Sequence, residues 1–216
     1  MTADLRRAVV DAALELERRG LNHNTAGNVS VRVGENVLVT PTGIPADKFE
    51  DGDVVELTAA GVPLPGQRCL PTSEWQLHCA VYAARPDVSA IVHTHSPEAT
   101  AAACVGEPVP AVHYIVAKGG GRDVPVSPYA TYGSSELAAN VVATLGADRL
   151  TCLMANHGMI AAGRSLDAAI ALAHEVEWLS RVHRLALLRG TPVILPDDEI
   201  DRVAEKFRTH GQPPAD

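Results

Sequence analysis

Positive charge is scarce in this 216-residue sequence, where 18 lysine and arginine residues stand against 26 aspartate and glutamate residues, for a formal net charge of -8. Proteins that bind nucleic acids neutralise backbone phosphates with a concentrated surface of lysine and arginine. The composition therefore argues against a nucleic-acid partner. A small anionic metabolite stays compatible with it, because backbone N–H groups at a helix start can hold one phosphate.

Long apolar runs are also absent, and no stretch approaches the ~18 residues of a membrane-spanning helix. The first segment, MTADLRRAVVDAALELERRG, carries charges every few positions and has no apolar core of the signal-peptide type. Hydrophobic residues make up 46% of the chain and charged residues 20%, which is enough to bury a full core. We therefore expect a cytoplasmic protein with a single domain over residues 1–216 and no membrane partner.

Cysteine is rare and scattered, with no C-x-x-C spacing among Cys69, Cys79, Cys104 and Cys152. This distribution predicts free, reduced thiols rather than a disulfide framework or a thiolate metal site.

A dinucleotide-binding fingerprint G-x-G-x-x-G and a regular β-α-β rhythm are missing as well. Helices are predicted over residues 3–19, 166–188 and 197–208, and short strands between them are joined in places by hairpin-length turns. The segment AVHYIVA, residues 111–117, is predicted to be another strand. This mixture indicates an α/β fold whose sheet is mixed or largely antiparallel and covered by helices.

Two histidines, His93 and His95, stand in an apolar run, AIVHTHSPEA, that predicts a β-strand. Side chains at i and i+2 of a strand share a face, so the two imidazoles would lie side by side. The ordinary interpretation is one surface histidine and one that is hydrogen-bonded to a carbonyl. Neutral imidazole is nevertheless the commonest protein metal ligand, and two on one face can converge on one ion.

His157 is the best candidate for a third ligand. It breaks an apolar strand pair at Asn156-His157-Gly158, and the glycine would let the backbone approach a site closely. A histidine that simply occupies a turn is the alternative interpretation, because Asn-His-Gly is a plausible turn sequence.

Glu74 is the best candidate carboxylate, in the first turn of a helix predicted to begin near Thr72 or Ser73. A favourable interaction with the helix dipole could by itself explain an acidic residue there. The two neighbouring hydroxyls and the free N–H groups of the helix start would also form an anion site. Three histidines, a carboxylate and an anion site indicate catalysis, since a structural zinc usually has four closed ligands, often cysteines.

The remaining histidines rank lower as metal ligands. His78, one turn after Glu74, is interpreted as packing or facing outward, and His113 would point to the opposite face of its strand from Tyr114. The role of His210 in the C-terminal tail is left open. Turn or structural roles are assigned to His23, His174 and His183.

An ordered series of motifs along nearly the whole chain resembles one known family, the class II (metal-dependent) aldolases of the L-fuculose-1-phosphate aldolase type. The motifs are LNHNTAGNVSVR, TPTGIP, PTSEW, VHTHS, PAVHYIVA, PYATYG, NHG and AHEVEWLSR. The resemblance implies a single-domain α/β/α sandwich around a mixed, mainly antiparallel sheet, in agreement with the predicted elements. The family also includes epimerase and dehydratase branches and non-catalytic members of the adducin type.

The resemblance implies a zinc ion held by His93, His95 and His157, with Glu74 as a fourth ligand at rest and as the acid/base in turnover. It also implies that Tyr114 is a proton donor at a site completed by the neighbouring subunit of a homotetramer. The phosphate of the sugar phosphate would lie among Asn28, Thr42, Gly43, Thr72 and Ser73.

The reaction implied is reversible cleavage of L-fuculose 1-phosphate, or a related ketose 1-phosphate, to dihydroxyacetone phosphate and L-lactaldehyde or a related aldehyde. Thr72 departs from the serine of the family pattern but keeps a hydroxyl. Tyr132 stands where the family has phenylalanine, and is expected to line the aldehyde pocket. His210 stands where the family tail carries a tyrosine implied in handling the aldehyde, so the natural aldehyde stays open.

Several alternatives are weighed against this one. An epimerase on the same scaffold would have an aspartate at the position of Glu74, whereas a dehydratase would share the metal and phosphate sites and is harder to exclude. A Schiff-base aldolase needs a desolvated lysine, and Lys118 only abuts a glycine-rich loop. A non-enzymatic adducin-like module would be expected to have lost metal ligands, and none of the four is missing. Three histidines and a glutamate suit zinc best among divalent ions.

Overall fold

The computed structural model describes residues 2–209, so His210 lies outside the described residues. Its centre is one seven-stranded sheet with the order β3-β2-β1-β4-β7-β6-β5. The strands are β1 (Asn28–Val33), β2 (Asn36–Val39), β3 (Val55–Thr58), β4 (Ala90–Thr94), β5 (Val126–Ser127), β6 (Thr151–Met154) and β7 (Gly158–Gly163).

The sheet is mixed and mainly antiparallel, as predicted. Every neighbouring pair is antiparallel except β5 and β6, which run parallel. Strand β5 was not predicted, because it consists of two residues inside a long loop. Pro125 and Pro128 flank it, and a proline cannot donate to a ladder, so the pairing stops there.

Helices cover both faces of the sheet, which confirms the α/β class and the layered arrangement. Helices α1, α3 and α5 contribute to the core on one face, and α2 and α4 to the core on the other. The serines Ser134 and Ser165 cap α4 and α5 by accepting a backbone N–H of the first turn. The helices are α1 (Thr2–Arg18), α2 (Trp75–Ala84), α3 (Pro97–Val105), α4 (Ser135–Leu145), α5 (Leu166–Arg189) and α6 (Asp197–Arg208).

Strand β4 occupies the middle of the sheet, between β1 and β7. Its side chains alternate between the two cores: Ala90 and Val92 join the core of α1 and α5, and Ile91 joins the core of α2 and α4. By the same alternation, His93 faces the side of Ile91, toward α2. The strand is fully buried from Ala90 to Thr94, so the imidazole of His93 is held in a rigid setting.

The prediction of a strand over residues 111–117 is wrong. Tyr114–Gly119 form a 3-10 helix, and a ring nitrogen of His113 accepts the backbone N–H of Ile115 at its start. A short apolar run fits a strand or a helix equally well, and packing against α5 and α6 selects the helical form here. The rings of His113 and Tyr114 therefore lie 4.4 Å apart rather than on opposite faces of a sheet.

Helix α3 begins directly after the histidine pair and is fastened to α5 at that point. Both carboxylate oxygens of Glu177 accept a backbone N–H from the first turn of α3, from Glu98 at 3.0 Å and from Ala99 at 2.9 Å. A carboxylate at this position satisfies free N–H groups and suits the helix dipole. The chain leaving His95 is thus fixed in direction by a residue 82 positions later.

All four cysteines are free, in agreement with the prediction from their spacing. In the part of the chain that the structure describes, no helix has the length and apolarity needed to cross a membrane.

Candidate active site

His93 and His95 lie at the end of β4, the second of them just past the last residue of the strand. His93 is fully buried, and its Nδ1 lies 2.9 Å from the carbonyl oxygen of Met159 on β7. A carbonyl only accepts, so Nδ1 carries the hydrogen and Nε2 is left to turn toward the site. The Nε2 atoms of the two histidines are 2.9 Å apart.

His157 reaches the same point from the turn between β6 and β7. Asn156, just before it, has a left-handed φ of 52°, a conformation that asparagine tolerates in tight turns. The ring of His157 lies 4.9 Å from each of the other two rings and nearly perpendicular to both, with interplanar angles of 79° and 84°. The structure thus brings together the three histidines that the sequence singles out.

Gly158 makes this close approach possible, as predicted. A Cβ atom at this position would lie 2.4 Å from the carbonyl oxygen of Thr94 and 3.0 Å from the ring of His95. Only a glycine therefore allows β7 to start this near the end of β4.

Glu74 supplies the carboxylate, immediately before α2. Its Oε2 lies 2.9 Å from Nε2 of His93, and its Oε1 lies 3.5 Å from Nε2 of His157. The helix begins at Trp75 with Glu74 as its N-cap, so the predicted start at Thr72 or Ser73 was too early. The buried Oε1 atom has no hydrogen-bond partner among residues 2–209.

These four side chains fit a divalent cation. One ligand atom from each of Glu74, His93, His95 and His157 can be chosen so that all four lie within 4.8 Å of one another. Three imidazole nitrogens with one carboxylate are a donor set typical of zinc and of neighbouring divalent metals. A buried carboxylate oxygen without a hydrogen-bond partner is costly, and a bound cation would satisfy it.

The protonation states of the four side chains also suit the binding of a divalent cation. Burial alone favours a neutral Glu74, but the imidazoles of His93 and His157 hold the pKa of its carboxyl well below its usual range. Burial opposes the charging of His93 too, yet the Glu74 carboxylate raises the pKa of that imidazole. Burial and the neighbouring histidines lower the pKa of His95 and of His157 to about 4. Those two are therefore neutral near pH 7, the form that binds metals.

Behind Glu74 lies a buried chain of polar side chains that the sequence interpretation missed. Asn28 donates its amide N–H to Oε2 of Glu74 at 3.2 Å, and the other end of that amide meets His78. Ser30 and Tyr82 continue the chain beyond His78. The spacing was visible in the sequence, because residues 74, 78 and 82 share a helix face and residues 28 and 30 share a strand face.

A cavity of about 260 Å³ opens beside the cluster. Glu74, His95 and His157 form part of its wall, so a molecule in the cavity would meet the cluster directly. Tyr129 and Tyr132 line it as well, with more than half of each side chain exposed. The remaining lining residues are Thr25, Ala26, Gly27, Asn28, Ala130 and Asn156.

Two segments predicted to bind phosphate lie side by side near this cavity. An isolated antiparallel bridge pairs Pro41 with Pro71, so Thr42 lies opposite Leu70 and Thr72 lies opposite Thr40. The bridge joins the two segments, but Gly43 and Ser73 follow it in opposite directions. Thr42, Gly43 and Ser73 are exposed, whereas Thr72 is buried. The fifth predicted residue, Asn28, lines the cavity itself.

Tyr114 is not brought to the cluster within one chain. Its side chain is 48% exposed and packs beside His113 and 6.2 Å from the ring of Phe207 on α6. It is not among the residues that line the cavity.

The comparison with known proteins agrees with this geometry. The family model for the class II aldolase and adducin N-terminal domain matches residues 7–183. A 5-methylthioribulose-1-phosphate/5-deoxyribulose-1-phosphate aldolase of Rhodospirillum rubrum is 47% identical over 207 residues, 96% of this chain and 92% of that protein. An L-fuculose phosphate aldolase of Escherichia coli K12 is 43% identical over 208 residues, 96% of this chain and 95% of that protein.

A solved structure of an L-fuculose 1-phosphate aldolase superposes with a TM-score of 0.90 at 38% identity, over 95% of this chain and 96% of that one. The chain belongs to the class II aldolase and adducin family. It is a class II aldolase, an enzyme of the lyase type, as the motifs of its sequence predict.

Proposed function

We propose that this enzyme is a zinc-dependent aldolase that reversibly cleaves L-fuculose 1-phosphate, or a related ketose 1-phosphate, to dihydroxyacetone phosphate and L-lactaldehyde or a related aldehyde. The observation that carries the proposal is the convergence of Glu74, His93, His95 and His157, all but His93 in the wall of a cavity, in a chain of this family. These four residues would hold the zinc ion. When bound, zinc supplies Lewis-acid stabilisation of negative charge that develops on a substrate oxygen.

Glu74 is the proposed acid/base. Cleavage between C3 and C4 of the ketose leaves an electron pair on the dihydroxyacetone phosphate fragment, and C3 must then gain a proton. The carboxylate of Glu74 lies at the cavity wall and is held in its ionised form. It is therefore in the protonation state to remove the C3 proton in the synthesis direction, and the protonated carboxyl that this step produces is the form that gives the proton to C3 in cleavage.

Tyr114 is the proposed partner of the C4 oxygen, taking its proton in cleavage and returning one in synthesis. Because Tyr114 is exposed and does not line the cavity of its own chain, we propose that it reaches the site of a neighbouring subunit. A homotetramer with sites at subunit interfaces would supply it. The cytoplasm is the compartment we propose, in keeping with four free thiols.

The phosphate group would orient the substrate from a distance. We propose that Thr42, Gly43, Thr72 and Ser73, on two segments joined by the bridge of Pro41 and Pro71, bind it together with Asn28 at the cavity wall. Binding energy from a remote group is used in this way to hold the reacting carbons in position.

A second substrate class is favoured by a specific observation. The relative from Rhodospirillum rubrum is named for 5-methylthioribulose and 5-deoxyribulose 1-phosphates, whereas the Escherichia coli relatives are named for L-fuculose phosphate. A C5-modified ribulose 1-phosphate is therefore the alternative substrate, with cleavage at the same bond and the same dihydroxyacetone phosphate product.

The test is a panel of ketose and pentulose 1-phosphates, assayed for release of dihydroxyacetone phosphate with and without added zinc. The Glu74→Gln variant is the control for a contaminating aldolase. Release from one member of the panel identifies the substrate and supports the proposal. An isomer of the substrate, or its dehydrated form, without dihydroxyacetone phosphate would instead show an epimerase or a dehydratase.

A further inference from the structure

A continuous buried hydrogen-bond chain runs from the catalytic carboxylate into the core. Nδ2 of Asn28 lies 3.2 Å from Oε2 of Glu74, and Oδ1 of Asn28 lies 2.5 Å from Nε2 of His78. On the other side of the imidazole, Nδ1 of His78 lies 2.6 Å from Oγ of Ser30, which lies 2.9 Å from the hydroxyl of Tyr82. All five side chains are at most 6% exposed.

The chemistry of its ends allows one direction of donation along this chain. The Glu74 carboxylate only accepts, so Asn28 must turn its NH₂ group toward it and its oxygen toward His78. Nε2 of His78 must then carry the hydrogen. Burial lowers the pKa of His78 to about 3, so the ring is neutral and its Nδ1 can only accept, from the hydroxyl of Ser30. The hydroxyl of Tyr82 in turn donates to Ser30.

Glu74 and His78 together therefore fix which way the Asn28 amide points: the carboxylate accepts its N–H, and His78 supplies the donor for its oxygen. The two ends of an amide are nearly equal in shape, and only their hydrogen-bond partners distinguish them. Without a donor at Nε2 of His78, the Asn28 oxygen would be buried without a partner, and the amide would lose the contact that holds it in place against Glu74. Rotation of the amide would not relieve this, because its oxygen would then face the Glu74 carboxylate, a second acceptor.

The same amide also borders the substrate cavity. An amide nitrogen carries two hydrogens, and one acceptor, Glu74, is found for Nδ2 of Asn28 among residues 2–209. The second N–H is left for a ligand. A rotated amide would offer its oxygen to an anionic substrate instead, so the orientation held by Glu74 and His78 bears on the carboxylate and on the substrate at once.

We propose that His78 is a positioning residue for the reaction, acting through Asn28 to fix the carboxylate of Glu74. The inference rests on the proposed role of Glu74 as metal ligand and acid/base. Hydrogen bonds behind a ligand hold it in the direction of the metal, and their loss typically costs about 10- to 100-fold in metal affinity or activity.

Two isosteric substitutions separate this role from a purely structural one. The amide nitrogen of glutamine reaches about as far as Nε2 of histidine, so His78→Gln keeps a donor for Asn28. The side-chain amide of asparagine reaches only to the position of Nδ1, so His78→Asn keeps the contact with Ser30 and loses the donor to Asn28. Both variants disturb the same buried position. Val81→Ala is the matched control, because Val81 is fully buried on the same helix and takes no part in these hydrogen bonds.

The experiment measures the zinc dissociation constant by competition with a chelator, kcat on the active ketose 1-phosphate, and thermal unfolding for each variant. We expect His78→Asn to weaken zinc binding and lower kcat by about 10- to 100-fold. His78→Gln should retain most of both, and Val81→Ala should lower only the melting temperature. In an Asn28→Ala background, the difference between the two His78 variants should disappear.

Equal zinc affinity and equal kcat for folded His78→Gln and His78→Asn would overturn the positioning role, whatever their stability. The positioning role would also be overturned if the two His78 variants still differed in zinc affinity and kcat in the Asn28→Ala background. Failure of the proposed function has another signature: a wild-type chain that binds zinc but cleaves no panel member. The zinc measurements still decide the role of His78 in that case. A wild-type chain that binds no divalent metal overturns both.

Discussion

Asn28 and His93 are direct cross-strand partners in the antiparallel pair of β1 and β4. Each of them lies against Glu74, at 3.2 Å from Oε2 for the amide nitrogen and at 2.9 Å for the imidazole nitrogen. Sheet register therefore determines the site, since a slip of one residue would turn either side chain to the opposite face. The carboxylate enters from the helix that covers this face, so the cluster depends on the packing of α2 against the sheet.

His95→Ala should abolish zinc binding and aldolase activity together. The variant removes one of the four ligand atoms and leaves a site with one carboxylate and two imidazoles. The loss of zinc affinity should exceed the ~10- to 100-fold effect of changes behind the ligands. Elemental analysis measures bound zinc, and release of dihydroxyacetone phosphate measures activity. The control is His174→Ala, because His174 is exposed. A fully active His95→Ala enzyme would show that the reaction does not depend on a metal ion at this cluster.

Glu74→Gln should keep most of the metal but lose turnover. Three histidines remain as ligands, whereas the neutral amide cannot accept a proton from C3 of the substrate. We expect kcat to fall by about 10²- to 10⁴-fold, the usual contribution of a general base. Exchange of the C3 proton of dihydroxyacetone phosphate into deuterated water follows this step directly. Undiminished exchange in the variant would remove Glu74 from the role of base.

Gly158→Ala should damage the cluster through the backbone. The added methyl group meets the carbonyl oxygen of Thr94, so β7 must move away from β4 and take His157 with it. We expect about 1–3 kcal/mol of lost stability and weaker zinc binding. Gly34→Ala is the control: it has open space around it and a φ of +59°, so it should lose about 1–2 kcal/mol without any effect on zinc. Denaturant unfolding and zinc titration measure both quantities.

Activity should be lost with a chelator and restored by zinc, and borohydride in the presence of dihydroxyacetone phosphate should leave the enzyme unmodified. A Schiff-base mechanism needs a desolvated lysine. The ammonium of Lys118 instead lies 2.6 Å from the carboxylate of Glu175, with 40% of its side chain exposed. Mass spectrometry after borohydride treatment checks the result, and a trapped adduct on any lysine would refute the metal mechanism.

Tyr114→Phe and Glu74→Gln chains should complement each other. If Tyr114 serves the site of a neighbour, each variant alone is nearly inactive, and mixed oligomers contain some sites with both native residues. Co-expression with two affinity tags isolates the mixed species, and its activity should exceed that of either pure variant. Mixed oligomers no more active than the two parents would place both residues in the same chain or exclude Tyr114 from catalysis.

Much of this site could be predicted, because its chemistry depends on residue types that stand out locally. His93 and His95 interrupt an apolar strand, and His157 interrupts a strand pair, so each was visible against its neighbours. Glu74 was recognisable by the hydroxyls beside it, although the helix begins one residue after it rather than before it. That these residues meet depends on the order of strands, which local patterns do not contain; the ordered family motifs supplied it.

The features that the sequence did not predict have a common physical cause. The segment 111–117 is apolar in a way that suits a strand, and only packing against α5 and α6 makes it helical. His78 looked like a packing residue, because the partners that give it a role, Asn28 and Ser30, come from a strand about fifty positions earlier. Contacts between residues so far apart in the sequence cannot be read from the local sequence around either residue.

The central place of β4 also determines how the enzyme should respond to loss of the proposed metal ion. Strands at the edges of a sheet open first, whereas a buried strand paired on both sides exchanges its amide hydrogens only when most of the structure opens. The amides of Ala90 to Thr94 should thus rank among the slowest to exchange with deuterium. The imidazoles would then keep their positions on an intact sheet, and the proposed zinc ion could dissociate and rebind many times before the chain unfolds once.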